Sequence, residues 1–72
     1  MQYYDRIREL REDHDMTQEA VAKILDTTQG YYSKYELGKR EIPIDRLIKL
    51  CLLYGVSADY ILGLPKGLKW ER

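Results

Sequence analysis

The sequence predicts an all-α domain of five short helices, and three observations lead to this prediction. Apolar residues recur at spacings of three and four along most of the 72-residue chain, as they do on one face of a helix. Residues that commonly cap helices, Thr17, Thr28 and Ser57, stand immediately before such patterns. Alternating apolar and polar runs bounded by turn residues, which are typical of β-strands, do not occur.

The first two predicted helices are amphipathic. On the first helix, six residues fall on one face: Tyr3, Tyr4, Ile7, Leu10, Arg11 and His14. The pattern stops at Asp13-His14-Asp15, which we interpret as a loop. The second helix follows its cap Thr17, and its apolar face carries Ala20, Val21, Ile24 and Leu25.

Three further helices follow. After Asp26-Thr27-Thr28, the third helix is capped by Thr28 and ends near Gly38, a residue type that favours the position after a helix. Pro43 opens the fourth helix, which extends to Gly55, and Ser57 caps a fifth that ends at Gly63. The predicted core includes three of the seven tyrosines and one arc of the fourth helix: Tyr32, Tyr35, Tyr54, Leu47, Leu50 and Cys51.

Length and composition exclude several classes of protein. The chain holds one small domain, which we assign to residues 1–63, and a tail of residues 64–72 that packs on the domain or at a dimer interface. A lone cysteine excludes an intramolecular disulfide and a multi-cysteine zinc site. The absence of a membrane span and of a signal-peptide pattern favours a cytoplasmic protein.

Side chains that suggest catalysis or metal binding are few. His14 is the only histidine and has acidic neighbours, but one imidazole beside adjacent acids lacks ligand spacing. We interpret it as a surface residue at a helix end. Phosphate-binding glycine loops and catalytic triads are missing as well. We therefore expect a protein that is not an enzyme and uses no metal or other cofactor.

The net charge of zero first argues against nucleic-acid binding, because DNA-binding domains are usually basic. The neutrality is a cancellation, however. Residues 1–26 carry seven acids and four bases, a net charge of −3, whereas residues 27–49 carry three acids and five bases, a net charge of +2. Residues 50–72 add +1. The basic middle third contains Lys34, Lys39 and Arg40, so a positive face remains possible.

The second and third helices form a predicted helix-turn-helix, because two short helices are joined by about three residues. Opposite the inward Tyr32 and Tyr35, the third helix presents small, polar or basic residues: Gln29, Gly30, Ser33, Lys34 and Leu37. Gln pairs with adenine, Lys reaches guanine acceptors, and small residues allow close approach to the major groove. The alternative is an ordinary amphipathic helix whose outer face meets only water.

A wider set of residues resembles one family: Thr17-Gln18-Glu19, Ala22, Leu25, Tyr31-Tyr32-Ser33-Lys34-Tyr35-Glu36, Gly38-Lys39-Arg40, Gly55-Val56-Ser57 and Asp59-Tyr60-Ile61-Leu62. The segment 6–62, about four-fifths of the chain, resembles the lambda-repressor/Cro-type (Xre-like) helix-turn-helix family of bacteria and phages. The resemblance implies a five-helix DNA-binding domain whose third helix enters the major groove. It gives base-facing roles to Gln29, Gly30, Ser33 and Lys34, and phosphate contacts to Gln18, Lys39 and Arg40. Thr28 and Tyr31, at the start of the third helix, are further phosphate candidates.

Two positions depart from the family's pattern. Asp26 replaces the glycine that the family usually has in the turn after the second helix. Asp tolerates the left-handed backbone better than most residues, so we expect the turn to form at modest cost. Gly30 stands where relatives often have a long polar side chain, so base readout depends more on Gln29, Ser33 and Lys34.

One charged pair is predicted inside the domain. Arg11 lies on the apolar face of the first helix, and Glu36 flanks the aromatic face of the third. A charge at a core-facing position is costly unless it is paired. Since the family has an Arg–Glu pair at matching positions, we expect a structural salt bridge between Arg11 and Glu36.

Apolar residues outside the predicted core indicate a contact surface. The set comprises Leu52 and Leu53, the fifth helix around Tyr60 and Ile61, and Trp70 in the tail. We expect a twofold homodimer that uses these residues, with recognition helices about 34 Å apart on a palindromic operator. The alternative is a tail that folds back over its own domain or is disordered.

The function expected from the sequence is sequence-specific binding of a double-stranded DNA operator. The regulator would be a bacterial or phage repressor that acts by occlusion, since no effector domain or small-molecule effector is evident. The alternative is a protein-interaction module of the same fold, such as an antitoxin or adaptor. A third interpretation is a structural DNA-binding protein without sequence preference, which would lose nearly all its affinity at high salt.

Overall fold

The computed structural model describes residues 1–65, and five helices are found there in the predicted order. They are α1 (Tyr3–Asp13), α2 (Gln18–Ile24), α3 (Gln29–Glu36), α4 (Ile44–Tyr54) and α5 (Ala58–Leu62). Residues 1–65 contain no β-strand, so the predicted all-α class is confirmed. None of these helices has the length and apolarity needed to cross a membrane.

The helix starts follow the predicted caps. The side-chain hydroxyls of Thr17, Thr28 and Ser57 each accept a hydrogen bond from the backbone N–H three residues later, at 3.1, 3.2 and 3.1 Å. Each bond satisfies one of the amides that a helix leaves free at its first turn. Pro43 is the residue immediately before α4, where its missing N–H costs nothing.

The connections that follow α1 and α2 each contain a residue with a left-handed backbone conformation. Asp26 has φ of 60°, as predicted for the turn between α2 and α3. Asp15 has φ of 53°, which the sequence analysis did not anticipate. α1 continues through Asp13 and α2 begins at Gln18, so Asp15 lies in the short connection between these two helices.

Gly38, the predicted end of the third helix, is required for two reasons. Its φ of 73° lies in the left-handed region, where a Cβ is unfavourable. A Cβ at this position would also stand 2.7 Å from the ring of Tyr4. The end of α3 therefore packs directly beneath a side chain of α1.

The core lies between all five helices. α2 packs on α3, α1 contacts both α3 and α5, and α4 packs on α5. The three tyrosines predicted as core are buried, with Tyr32 fully enclosed. Among residues 1–65, the buried apolar residues are Ile7, Leu10, Val21, Ala22, Leu25, Tyr32, Tyr35, Leu47, Leu50, Tyr54 and Ile61.

Part of the predicted dimer surface was wrong. Ile61 is fully buried, because α5 has only five residues and this is the one it inserts into the core. Leu53 is half-buried and packs against the core, whereas Leu52 and Tyr60 are exposed, by 78% and 50%. Trp70 lies outside the described residues.

One residue of the predicted apolar face of the second helix and one residue of the predicted core are more exposed than expected. Ile24 is exposed, because it lies to one side of the buried arc of α2, which contains Val21 and Ala22. Leu25, at the end of the helix, takes the inward position instead. Cys51 is half-buried, and burial raises the pKa of its thiol.

Candidate nucleic-acid interface

Helix α3 has two chemically distinct faces. Its inner face buries Tyr32, Tyr35 and Glu36. Its outer face carries the four residues predicted to face bases, which lie together along one side of the helix. Gln29, Gly30 and Lys34 are exposed, and Ser33 is half-buried. The structure therefore brings the predicted base-facing residues onto one accessible surface.

Gly30 has no side chain that would project from this surface. A Cβ built there would have no neighbouring heavy atom of the chain within 4 Å, so nothing in the fold requires glycine at this position. The absence of a side chain leaves the first turn of α3 open to close approach by a ligand.

The inner face of α3 is fixed by one carboxylate. Arg11 donates to Glu36 from Nε to Oε2 at 2.7 Å and from Nη2 to Oε1 at 3.1 Å, so the predicted salt bridge is present. The hydroxyl of Tyr32 donates to Oε2 at 2.6 Å, and Nε2 of Gln18 donates to Oε1 at 3.0 Å. Because these donors belong to α1, α3 and α2, the carboxylate ties all three helices together.

The electrostatics of this cluster favour its charged form. Burial alone would raise the pKa of the Glu36 carboxyl, but the hydrogen bonds from Arg11, Tyr32 and Gln18 outweigh burial and lower it. The pKa of Arg11 is raised, chiefly by its hydrogen bond to Glu36. Burial and the same carboxylate raise the pKa of Tyr32. The pair is therefore ionised at neutral pH.

Gln18 does not lie as the sequence analysis expected. It is half-buried, and its bond to Glu36 commits one amide hydrogen to the interior. A phosphate contact from this side chain would have to use the second hydrogen. Sequence reasoning missed this internal contact because an amide at the start of a helix carries no signal for a partner on another helix.

The other predicted phosphate contacts are accessible. Thr28 and Tyr31 are exposed at the start of α3, and Lys39 and Arg40 are exposed in the loop that follows it. Two backbone bonds to the carbonyl of Lys34 hold this loop, from the amides of Lys39 at 2.9 Å and Arg40 at 3.3 Å. The loop cations therefore stand beside the last turn of α3.

Arg46 adds a cation that the sequence analysis did not assign to the site. Its Nη1 donates to the hydroxyl of buried Tyr35 at 2.7 Å, which brings the first turn of α4 against α3. Its guanidinium carbon lies 5.9 Å from the centre of the Tyr31 ring. The available signal was the basic middle third, which extends beyond Arg40 to this residue.

His14 occupies the surface position predicted for it at the end of α1. Its Nδ1 lies 2.8 Å from the carbonyl oxygen of Leu10, and its ring is 4.9 Å from that of Tyr54. No group of three potential metal ligands occurs within residues 1–65.

Comparison with known proteins gives consistent matches. A family model described as helix-turn-helix matches residues 7–61. In Bacillus subtilis (strain 168), the uncharacterized HTH-type transcriptional regulator YobD is 42% identical over 62 residues, which is 86% of this chain and 55% of that protein. The HTH-type transcriptional regulator ImmR of the same organism is 40% identical over 58 residues, 81% of this chain and 46% of that protein. The chain thus spans about half the length of the curated relatives it matches.

Two solved structures share the fold. The P22 c2 repressor in complex with a synthetic operator superposes with a TM-score of 0.79 at 26% identity, covering 86% of this chain and 94% of that one. A transcriptional regulator from Listeria innocua superposes with a TM-score of 0.85 at 20% identity, covering 97% of this chain and 65% of that one.

Proposed function

Because the chain belongs to the lambda-repressor/Cro-type helix-turn-helix family, we propose that it binds a double-stranded DNA operator and regulates transcription, as a repressor acting by occlusion in the cytoplasm. The observation that carries this proposal is the outer face of α3. Gln29, Ser33 and Lys34 lie on it side by side, next to a residue without a side chain, while the inner face is fixed by Glu36. A solved relative of the same fold is a repressor in complex with an operator.

The mechanism follows from the two kinds of polar group at this face. Gln29 and Lys34 supply the donors and acceptors that distinguish base pairs in the major groove. Exposed Thr28, Lys39 and Arg40 flank them and contact phosphates, which position the helix without reading sequence. No step requires a cofactor. Specificity depends on few side chains because Gly30 contributes none.

A charge reversal on the outer face tests the proposal. Lys34→Glu places a carboxylate where the DNA would lie, so binding to a duplex selected by the wild-type protein from a random pool should be lost in an anisotropy titration. Arg8→Glu, which reverses a charge on exposed α1, is the matched control and should lose much less affinity.

The outcome separates the alternatives. If wild type binds no duplex but captures a protein partner that Lys34→Glu also binds, the chain is a protein-interaction module such as an antitoxin or adaptor. If wild type binds selected and scrambled duplexes equally and loses nearly all affinity with salt, it is a DNA-binding protein without sequence preference.

The proposed regulator acts as a homodimer. On α4, Ile44, Ile48 and Leu52 repeat every four residues and are all exposed, which places them on one face. We call these three residues the α4 stripe. Together with exposed Tyr60 on the neighbouring α5, the stripe gives a self-complementary twofold contact. Such a contact would present two copies of α3 about 34 Å apart, to a palindromic site. The predicted tail of residues 64–72 is outside the described residues from residue 66 onward.

A further inference from the structure

A groove of about 280 Å³ lies between α1 and α5. Its lining includes Arg6 from α1 and, from α5 and the two residues after it, Asp59, Tyr60, Gly63 and Leu64. The chain therefore passes along the rim of this groove just before it reaches residue 66. We call this site the Arg6 groove.

The guanidinium of Arg6 has an unsatisfied donor in the described part of the chain. Its Nε is buried and makes no hydrogen bond within residues 1–65. The ion pairs found there join other residues, so neither Arg6 nor Asp59, the acid of the same groove, has a partner of opposite charge among them. A partly buried cation with an unsatisfied donor is costly. A carboxylate bound to the same guanidinium offsets that cost.

The groove also offers an exposed aromatic ring. The guanidinium carbon of Arg6 lies over the ring of Tyr60, 5.4 Å from its centre, and Tyr60 is 50% exposed. A guanidinium is planar and stacks on aromatic rings, and among these the indole ring of tryptophan attracts cations most strongly. The groove thus suits a segment that carries a tryptophan beside an acid.

The sequence supplies such a segment directly after the groove. Lys69-Trp70-Glu71 presents a base, an aromatic ring and an acid in succession, and these residues lie outside the described part of the chain. Trp70 is five residues beyond Pro65, which allows a reach of up to about 17 Å. Gly67 favours a reversal of the chain between them. Because the segment is tethered at the rim, its effective concentration far exceeds that of a free partner.

We propose that residues 66–72 bind in the Arg6 groove of the same chain. Trp70 covers the guanidinium of Arg6, and Glu71 supplies its counter-charge. The contact ties the tail to α1 and α5. It does not involve α3, so its absence would leave the proposed function as it stands.

The test uses Trp70, the only tryptophan of the chain, as the reporter. In the full-length wild type, its emission should be blue-shifted and its quenching by acrylamide weaker than in the same protein unfolded in urea. Arg6→Gln should shift the emission to the red and raise the quenching constant, because the guanidinium that holds the ring is gone. Arg8→Gln removes the same charge from an exposed position of α1 and should match wild type.

A second variant changes only the tail, since Arg6 is itself half-buried. Glu71→Gln should raise the acrylamide quenching of Trp70 while circular dichroism and Tm report an intact domain. Lys66→Gln, which alters the tail charge by the same amount outside the Lys69-Trp70-Glu71 triplet, should keep the wild-type quenching.

Three outcomes would overturn the inference. Trp70 of folded wild type could be quenched as freely as in urea, which would exclude a bound tail. Unchanged protection in both Arg6→Gln and Glu71→Gln, with wild-type circular dichroism, would place the ring at another site. Protection that disappears on roughly hundredfold dilution of a folded protein would show that the groove holds the tail of a second copy, because an intramolecular contact does not depend on concentration.

Discussion

Single side chains at the centre of this domain have effects that reach several helices. The Glu36 carboxylate is almost completely buried and accepts hydrogen bonds from donors on α1, α2 and α3. A buried charge without its partner is much more costly than the same pair is favourable. Stability at this site is therefore sensitive to the removal of either charge.

Glu36→Gln should lower the free energy of unfolding by about 3 kcal/mol, because Arg11 keeps its charge without a counter-charge. Urea denaturation at neutral pH measures the change. Glu41→Gln is the control, since this carboxylate is exposed, and its effect should stay below about 0.5 kcal/mol. An unchanged Tm in Glu36→Gln would contradict the buried pair.

The same carboxylate predicts how stability depends on pH. The pKa of Glu36 is lowered in the fold relative to its ordinary value of 4.5, so the unfolded chain binds the proton more readily. The stabilisation is complete above the ordinary pKa and is lost as the pH falls through the lowered one. Urea denaturation from neutral to acidic pH should show wild type losing more stability below about pH 4.5 than Glu36→Gln does. A constant difference between the two proteins at all pH values would exclude this linkage.

At the scale of elements, close packing of α1 on the end of α3 fixes the position of α3 in the fold. Tyr4 covers Gly38 so closely that a Cβ there would overlap its ring. Gly55, which ends α4, has a similar φ of 66° but open space around it. The two glycines thus share a backbone conformation and differ in their surroundings.

Gly38→Ala should destabilise the domain more than Gly55→Ala. Both alanines would have a left-handed backbone, which lowers the free energy of unfolding by about 1 kcal/mol each. Only the alanine at position 38 must also displace the ring of Tyr4, which lowers it by about 1 kcal/mol more. Thermal or urea unfolding gives both values. In a Tyr4→Ala background the two substitutions should cost the same, and a persistent difference would show that the ring is not responsible.

The helices themselves could be predicted because residues near their ends have side chains or backbone preferences that act locally. Thr17, Thr28 and Ser57 cap helices wherever they precede an apolar pattern, and Asp26 makes the turn with a backbone that only a few residue types tolerate. The outer face of α3 followed from helical periodicity. These features depend on neighbours within about four residues.

Contacts between distant segments were less predictable. Ile61 was wrongly placed on the surface, because periodicity cannot define an inward face in a helix of five residues. The bonds of Gln18 to Glu36 and of Arg46 to Tyr35 join different helices. No local pattern specifies these bonds. Among the contacts between helices, only the Arg11–Glu36 pair was predicted, and that prediction depended on the resemblance to a family.

For the molecule as a whole, acidic and basic residues are concentrated in different segments of the fold. The acidic first third, with a net charge of −3, contains α1 and α2, whereas the cations around α3 come from the middle third. The α4 stripe leaves three large apolar residues exposed on a small domain, whose own core buries a limited area. Association would bury this stripe.

Leu52→Asp should convert the proposed dimer to a monomer, because a carboxylate within an apolar contact would be buried without a partner. Sedimentation at micromolar concentration measures the state of both proteins. Lys49→Asp introduces the same residue at a neighbouring exposed position of α4 outside the stripe and should remain dimeric. Monomeric behaviour of both wild type and Leu52→Asp would contradict the proposed interface.

The anchoring of α3 from its inner side has a consequence for how this domain can diverge. Glu36 and Tyr32 fix the pose of the helix through contacts that Gln29, Ser33 and Lys34 do not share. Those three surface side chains can therefore be exchanged at little cost in folding. If the proposed function holds, the same scaffold can acquire a new target sequence by a few substitutions on this face, while the proposed phosphate contacts stay unchanged.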